Sequence, residues 1–186
     1  MTYLISTLIF AVVGTAQLNI FEIEGIFSNA HINALEGHIE EYEYTDDDLL
    51  ILQYSSQEGS AESIAELNSL LSGYDFPIGV WFGPYKISID FEQLNNFDYI
   101  GFSPGLEINN VSFDESVEKK YCTINICNFE ERKIIVSTNE GIYDNYLIVG
   151  TLGSFIENID FVISDQSIEF FKPSLFERFY IAISNP

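Results

Sequence analysis

Three apolar runs, at residues 20–23, 49–52 and 78–82, recur at intervals of roughly 30 residues with an amphipathic segment in each interval. That interval leaves room for a crossover helix between strands that run the same way, and such crossovers are right-handed. The segment from Phe21 to Gly105 therefore reads as consecutive strand–helix–strand units, which predicts an α/β fold with a parallel sheet. A chain of 186 residues, 47% of them apolar, can enclose one core of this kind, and a single domain is expected.

The first strand, residues 20–23, ends at a predicted turn, Glu24-Gly25. Ser28 is placed to cap a helix over residues 29–42, with Ile32, Leu35 and Ile39 on one face. The second strand covers residues 49–53. Ser60 precedes a helix that turns Ile64, Leu67, Leu70 and Leu71 inward and closes at Gly73. Pro77 opens the third strand, and a short helix over residues 91–95 leads to a strand at 99–102 and the turn Ser103-Pro104-Gly105. Beyond it, alternation at 121–127 and 133–136 predicts strands or a hairpin, and residues 138–143 predict one helical turn. A strand at 146–149, a helix capped by Thr151 and running through Ile159, and a hairpin from 161–163 and 168–171 follow. Pro173 opens a final amphipathic segment that ends near Ile183.

Seven basic residues against 29 acidic ones leave a net charge of -22, and no Lys or Arg precedes Lys86. Thirteen Asp and Glu lie between Glu22 and Asp75. A surface this negative repels phosphate backbones, which excludes nucleic acid as a partner and disfavours anionic lipid. Asp46, Asp47 and Asp48 are consecutive and lack the alternating ligands and turn glycine of a calcium loop. No metal or cofactor is implied. His31 and His38 read as ordinary residues on the surface of the first helix, far in sequence from the two cysteines. Cys122 and Cys127, five positions apart, fall on opposite faces of a continuous strand. A turn between them would let them bridge, so two buried thiols and a local disulfide both stay open.

The first sixteen residues read as an export signal. An apolar stretch at residues 4–13 is too short to span a bilayer, and Gly14-Thr15-Ala16 supplies small residues for cleavage. The expected organisation is a signal peptide over 1–16, a domain over 17–172, and an amphipathic segment over 173–186 that leads to the membrane.

Ligands of such folds bind at the carboxyl ends of the parallel strands, here the segments 54–60 and 83–88. The runs Ile23-Glu24-Gly25-Ile26, Leu50-Ile51-Leu52-Gln53, Pro77-Ile78-Gly79-Val80-Trp81-Phe82-Gly83-Pro84 and Ser103-Pro104-Gly105 resemble the NfeD-like membrane-bound serine proteases of the ClpP class. Gly141-Ile142-Tyr143-Asp144, Thr151-Leu152-Gly153-Ser154-Phe155-Ile156 and Lys172-Pro173-Ser174-Leu175-Phe176 extend that resemblance over residues 19–184. It implies a ClpP/crotonase-like spiral of βαβ units, facing away from the cytoplasm. It also implies a Ser–Lys dyad, a Gly-Gly pair that helps form an oxyanion hole, and hydrophobic peptide substrates that include the C-terminal region of stomatin-like partners.

Aligned on Pro104-Gly105, the family serine falls at Ser88, with Asp90 where the family has a glycine. The glycine pair falls at Glu58 and Gly59, so an acidic side chain stands where an oxyanion must be stabilised. Lys86, two positions from Ser88, and the downstream Lys119, Lys120 and Lys133 are the candidate bases. These departures predict a degenerate, non-catalytic domain that acts as an assembly or interaction module at the outer face of a membrane. Exposed aromatics are its expected working surface, and a homo-oligomer and a stomatin-like membrane protein its expected partners. The competing reading is a Ser–Lys endopeptidase that cuts hydrophobic segments of stomatin-like membrane proteins.

Overall fold

The computed structural model describes residues 17–59, 61–84, 86–89, 91–110, 127–130, 133–143, 146–159 and 168–171. The predicted alternation is present: β1 (Leu18–Phe27), α1 (Asn29–Tyr42), β2 (Leu49–Gly59), α2 (Ala61–Leu71) and β3 (Ile78–Phe82) follow one another. β4 (Ile87–Ile89) and a 3₁₀ turn, Phe91–Asn96, lead into β5 (Tyr99–Phe102) and β6 (Glu107–Asn110). The remaining elements are β7 (Cys127–Glu130), β8 (Lys133–Val136), β9 (Gly141–Tyr143), β10 (Tyr146–Ile148), the helix α3 (Leu152–Asn158) and β11 (Ile168–Phe171). The expected signal peptide and the segment after Lys172 lie outside the described residues, as do Cys122, Lys119 and Lys120.

Two sheets form. The larger has the order β11-β1-β2-β3-β5-β10-β9, and the smaller β4-β6-β8-β7. Every pairing in the larger sheet is parallel except β10 with β9. A parallel sheet must be covered on both sides, and the side chains show it. Leu49, Leu50, Ile51 and Leu52 are all fully buried, each stabilising the fold by about 1.5–3 kcal/mol. Leu50 and Leu52 face a core shared with Leu35 of α1, Ile64 of α2 and Ile87, Ile108 and Ile134 of the smaller sheet. Leu49 and Ile51 face the opposite core with Trp81 and Phe155 of α3.

Several local expectations change. The first two strands are much longer than their apolar runs, because their polar ends pair with each other from Leu18↔Leu49 to Phe27↔Gly59. Glu24-Gly25 is therefore strand rather than turn, with Gly25 at φ 79° beside a shift in register. Residues 141–143 form an antiparallel edge strand, not a helical turn, because Gly141, Ile142 and Tyr143 pair with Ile148, Leu147 and Tyr146. Residues 168–171 lie parallel to β1, while their expected hairpin partner at 161–163 is outside the described residues. Residues 127–130 and 133–136 do form a hairpin. Most of the strand expected at 121–127 is outside the described residues.

The caps divide. Thr151 Oγ1 accepts from Ser154 N at 3.0 Å, as the sequence predicts for α3. Ser28 occupies the first cap of α1 with extended backbone, yet its hydroxyl makes no cap bond. Asp48, from the acidic triplet, is structural. Its carboxylate accepts from Gln17 N at 2.9 Å, Thr45 N at 2.9 Å and Thr45 Oγ1 at 2.7 Å, tying the start of β2 to the turn before it.

Candidate functional site

The carboxyl end of β2 does not open into a loop, and of the segment 83–88 expected after β3, Ile87 and Ser88 already belong to β4. β3 pairs with β2 as far as Tyr54↔Phe82, and β2 then continues to Gly59 against β1 alone. The result is a two-stranded ribbon that projects past the rest of the sheet. Ser56, fully buried, organises it: Oγ accepts from Phe27 N at 3.0 Å and lies within donating distance of Gly25 O (2.7 Å) and Glu58 O (2.8 Å). Gly25 pairs with Ser56 and Ile26 with Glu58, so Gln57 is the extra residue of a β-bulge.

The bulge decides where the glycine-pair positions go. Glu58 is exposed and registered against Ile26, and Gly59 is registered against Phe27. Both therefore belong to a paired strand, not to the ligand-binding loop expected at residues 54–60. At the end of β3, Gly83 N donates to Tyr54 O at 2.9 Å. A Cβ on Gly83 would collide with Ser55 Oγ, so this close approach of the two strand ends needs glycine or a moved serine.

Ser88 is the middle residue of β4, 8% exposed, and paired with Asn109 of β6. Its carbonyl accepts from the Tyr54 hydroxyl at 3.2 Å, which ties the small sheet to the large one. Tyr54 is itself buried between Phe27 and Phe82, with ring centroids 5.7 and 5.6 Å away. Burial pushes its phenol well above the ordinary range, with the Ser56 hydroxyl opposing, so it stays a neutral donor.

The lysines separate. Lys86 is exposed just before β4, and its Nζ lies 3.5 Å from Glu107 Oε1, a half-exposed pair that contributes little. Lys133 is placed differently. Ser88 is in register with Asn109, and Asn109 with Lys133 of β8, so the three share one cross-strand row. Two strand spacings, about 9–10 Å, separate the backbones of Ser88 and Lys133. The sequence alone did not distinguish this lysine from Lys119 and Lys120.

His31 is not on the helix surface. It is 3% exposed, its Nε2 donates to Glu24 O at 3.1 Å, and its ring packs on Phe27 at 5.8 Å. Its spacing four positions before Leu35 was the available signal. His38 is half-buried, with Nε2 2.9 Å from the Tyr44 hydroxyl. Burial holds His31 below its ordinary value of 6.5, the Glu24 carbonyl pulling the other way. As pH falls below 6.5, the unfolded chain takes up a proton at this position before the folded one does, so His31 subtracts stability there and nothing at higher pH. Urea titrations from neutral to mildly acidic pH should show the stability gap between wild type and His31→Leu moving in favour of the variant as pH drops. A gap that stays constant across that range would contradict the buried neutral ring.

The expected aromatic working surface is not found among the described residues. Their exposed large apolar side chains are Ile26 at 46% and Ile142 at 70%. No helix among the described residues is long and apolar enough to cross a membrane.

No protein-family model and no curated protein matches the chain. Solved structures do. A 1510-N membrane-bound stomatin-specific protease, a lysine-to-alanine mutant in complex with a substrate peptide, superposes with a TM-score of 0.64 at 9% identity, covering 94% of this chain and 100% of that one. The 1510-N membrane protease specific for a stomatin homolog from Pyrococcus horikoshii gives 0.63 at 10% identity, covering 91% and 99%. A serine-to-alanine mutant of 1510-N gives 0.57 at 9%, covering 87% and 100%. Through parallel βαβ units that run into a small second sheet, this chain shares the ClpP-like α/β fold of those membrane proteases.

Proposed function

We propose that this chain is a domain that takes up a hydrophobic segment of a stomatin-like membrane protein at the outer face of a membrane, and that it does so without cutting it. The observation that carries the second half is the position of Ser88, buried in the middle of β4 with its own carbonyl engaged by Tyr54. A nucleophile must be reached by a carbonyl carbon and needs donors aimed at the oxyanion that forms. Here the positions that match the donor pair, Glu58 and Gly59, lie in a paired ribbon, and one of them carries a carboxylate. The first half rests on the fold shared with proteases specific for stomatin. Export, membrane association and self-assembly into a homo-oligomer belong to the same proposal.

A second reading, a Ser–Lys endopeptidase acting on the same partner, is favoured by the protease activity of the structural neighbours and by the row Ser88, Asn109, Lys133. In it Ser88 attacks and Lys133, or another lysine, takes its proton. The likeness to stomatin-specific proteases supports this reading, and the geometry of Ser88 supports the first. Incubating the full chain with a hydrophobic stomatin-like peptide separates them. The expected result is saturable binding, intact peptide, and no labelling of Ser88 by a fluorophosphonate. Cleavage that disappears in both Ser88→Ala and Lys133→Ala would establish the peptidase instead.

A further inference from the structure

The amino ends of β3 and β5 lie at the opposite end of the parallel strands from the ribbon. There a cavity of about 360 Å³ opens between the end of α2, the start of β3 and the 3₁₀ turn. The residues that line it include the aromatic Tyr74, Phe76 and Phe97 and the acidic Asp75 and Asp98. The aromatic residues are held by packing on one another. Tyr74 and Phe76 have centroids 5.4 Å apart, and Tyr44 stacks on Phe76 at 4.4 Å. Asp98 is fixed as well: its Oδ2 accepts from Ile78 N at 2.9 Å, and its own N donates to Ile78 O at 2.8 Å.

The charge of this cavity has one sign. Among the described residues neither Asp75 nor Asp98 has a basic partner, and the whole stretch before Lys86 contains no Lys or Arg. The field reaches past the rim. Burial raises the Tyr74 phenol, and the carboxylates of Glu36 and Glu40 on α1 raise it further. An anion would be repelled here, and a neutral apolar ligand would gain nothing from the carboxylates. Aromatic rings and carboxylates favour the same chemical class. The quadrupole of an aromatic face attracts a cation, and an ionised carboxylate accepts its N–H donors in short, charge-assisted bonds.

We propose that this cavity is a binding site for an alkylammonium or guanidinium cation, delivered either by a free amine or by a lysine or arginine side chain of a partner protein. The site is independent of the chemistry at Ser88, and its failure would leave the reading of that end of the sheet untouched.

Calorimetric titration of the full chain with cadaverine, and separately with a blocked tripeptide carrying a central lysine, tests it. Saturable one-to-one binding is expected for at least one of them, with pentanol inert. Tighter binding of the tripeptide assigns the cation to a protein partner, and tighter binding of cadaverine assigns it to a free amine. Asp75→Asn, an exposed change that leaves the core alone, and Tyr74→Ala should each weaken binding by about tenfold. Glu157→Gln removes the same charge from α3 and should leave binding unchanged. Affinity that falls equally in Glu157→Gln and Asp75→Asn would reduce the effect to bulk charge. Non-saturating heats with both amines would overturn the site outright.

Discussion

Phe155→Ala is expected to remove about 3–5 kcal/mol of folding stability. Phe155 is fully buried and is the one buried residue within α3, so its ring is the main anchor of the helix on the sheet, with the half-buried Leu152 and Ile156 packed against the same cluster. The sheet is shaped to receive it. A Cβ on Gly101 would lie 2.5 Å from Phe155 Cδ2, 2.8 Å from its Cε2 and 3.0 Å from Trp81 Cδ1, so the ring occupies the space that any other residue at 101 would fill. Removing it leaves a void against Trp81, Leu49 and Ile51, whose packing cannot close over a missing aromatic. Urea unfolding followed by the single Trp81 would measure the loss, since that indole lies in the same cluster. A loss below about 1 kcal/mol would mean that α3 is not anchored as described. Against a typical domain stability of about 5–15 kcal/mol, the expected loss is a large part of the whole.

Ser56→Ala is expected to cost about 1–3 kcal/mol, and the damage should be local. The hydroxyl is the acceptor for Phe27 N inside the ribbon, and alanine would leave that N–H buried without a partner. It also removes the donor shared between Gly25 O and Glu58 O; a single O–H serves one of them at a time. The bulge at Gln57 should then lose its fixed register, and amide exchange at Ile26 and Phe27 should accelerate more than exchange at Leu50 or Leu52. Uniform acceleration along β1 and β2 would show that Ser56 matters only to global stability. The ribbon is also where the glycine-pair positions sit, so the variant shows whether peptide uptake depends on its shape.

The strand–helix–strand alternation was legible because both of its signals are local. The borders of α1 and β3 match the sequence reading to the residue, since Ile32, Leu35 and Ile39 repeat at helical spacing and Pro77 and Gly83 bracket an apolar run. The candidate site was legible only in part. Ser88 was picked out by its distance from Pro104-Gly105, a measure that says nothing about whether residue 88 sits in a loop or a strand. The ribbon was missed for a related reason. Ser55, Ser56, Gln57 and Glu58 have the composition of a turn, and only pairing with β1 makes them strand. His31 was misplaced because a lone histidine carries no sign of burial, although its offset from Leu35 put it on the apolar face.

By itself the sequence determined the α/β class, the order of the first five elements and the one-sided charge. Each of these is written in the period, spacing or count of residues along the chain. The tertiary structure alone decided the length of the ribbon, the row that joins Ser88 to Lys133 and the cavity that gathers aromatic residues with Asp98. Those features join residues tens of positions apart, and such pairings are selected by the collective burial of two cores, which no local window of sequence contains.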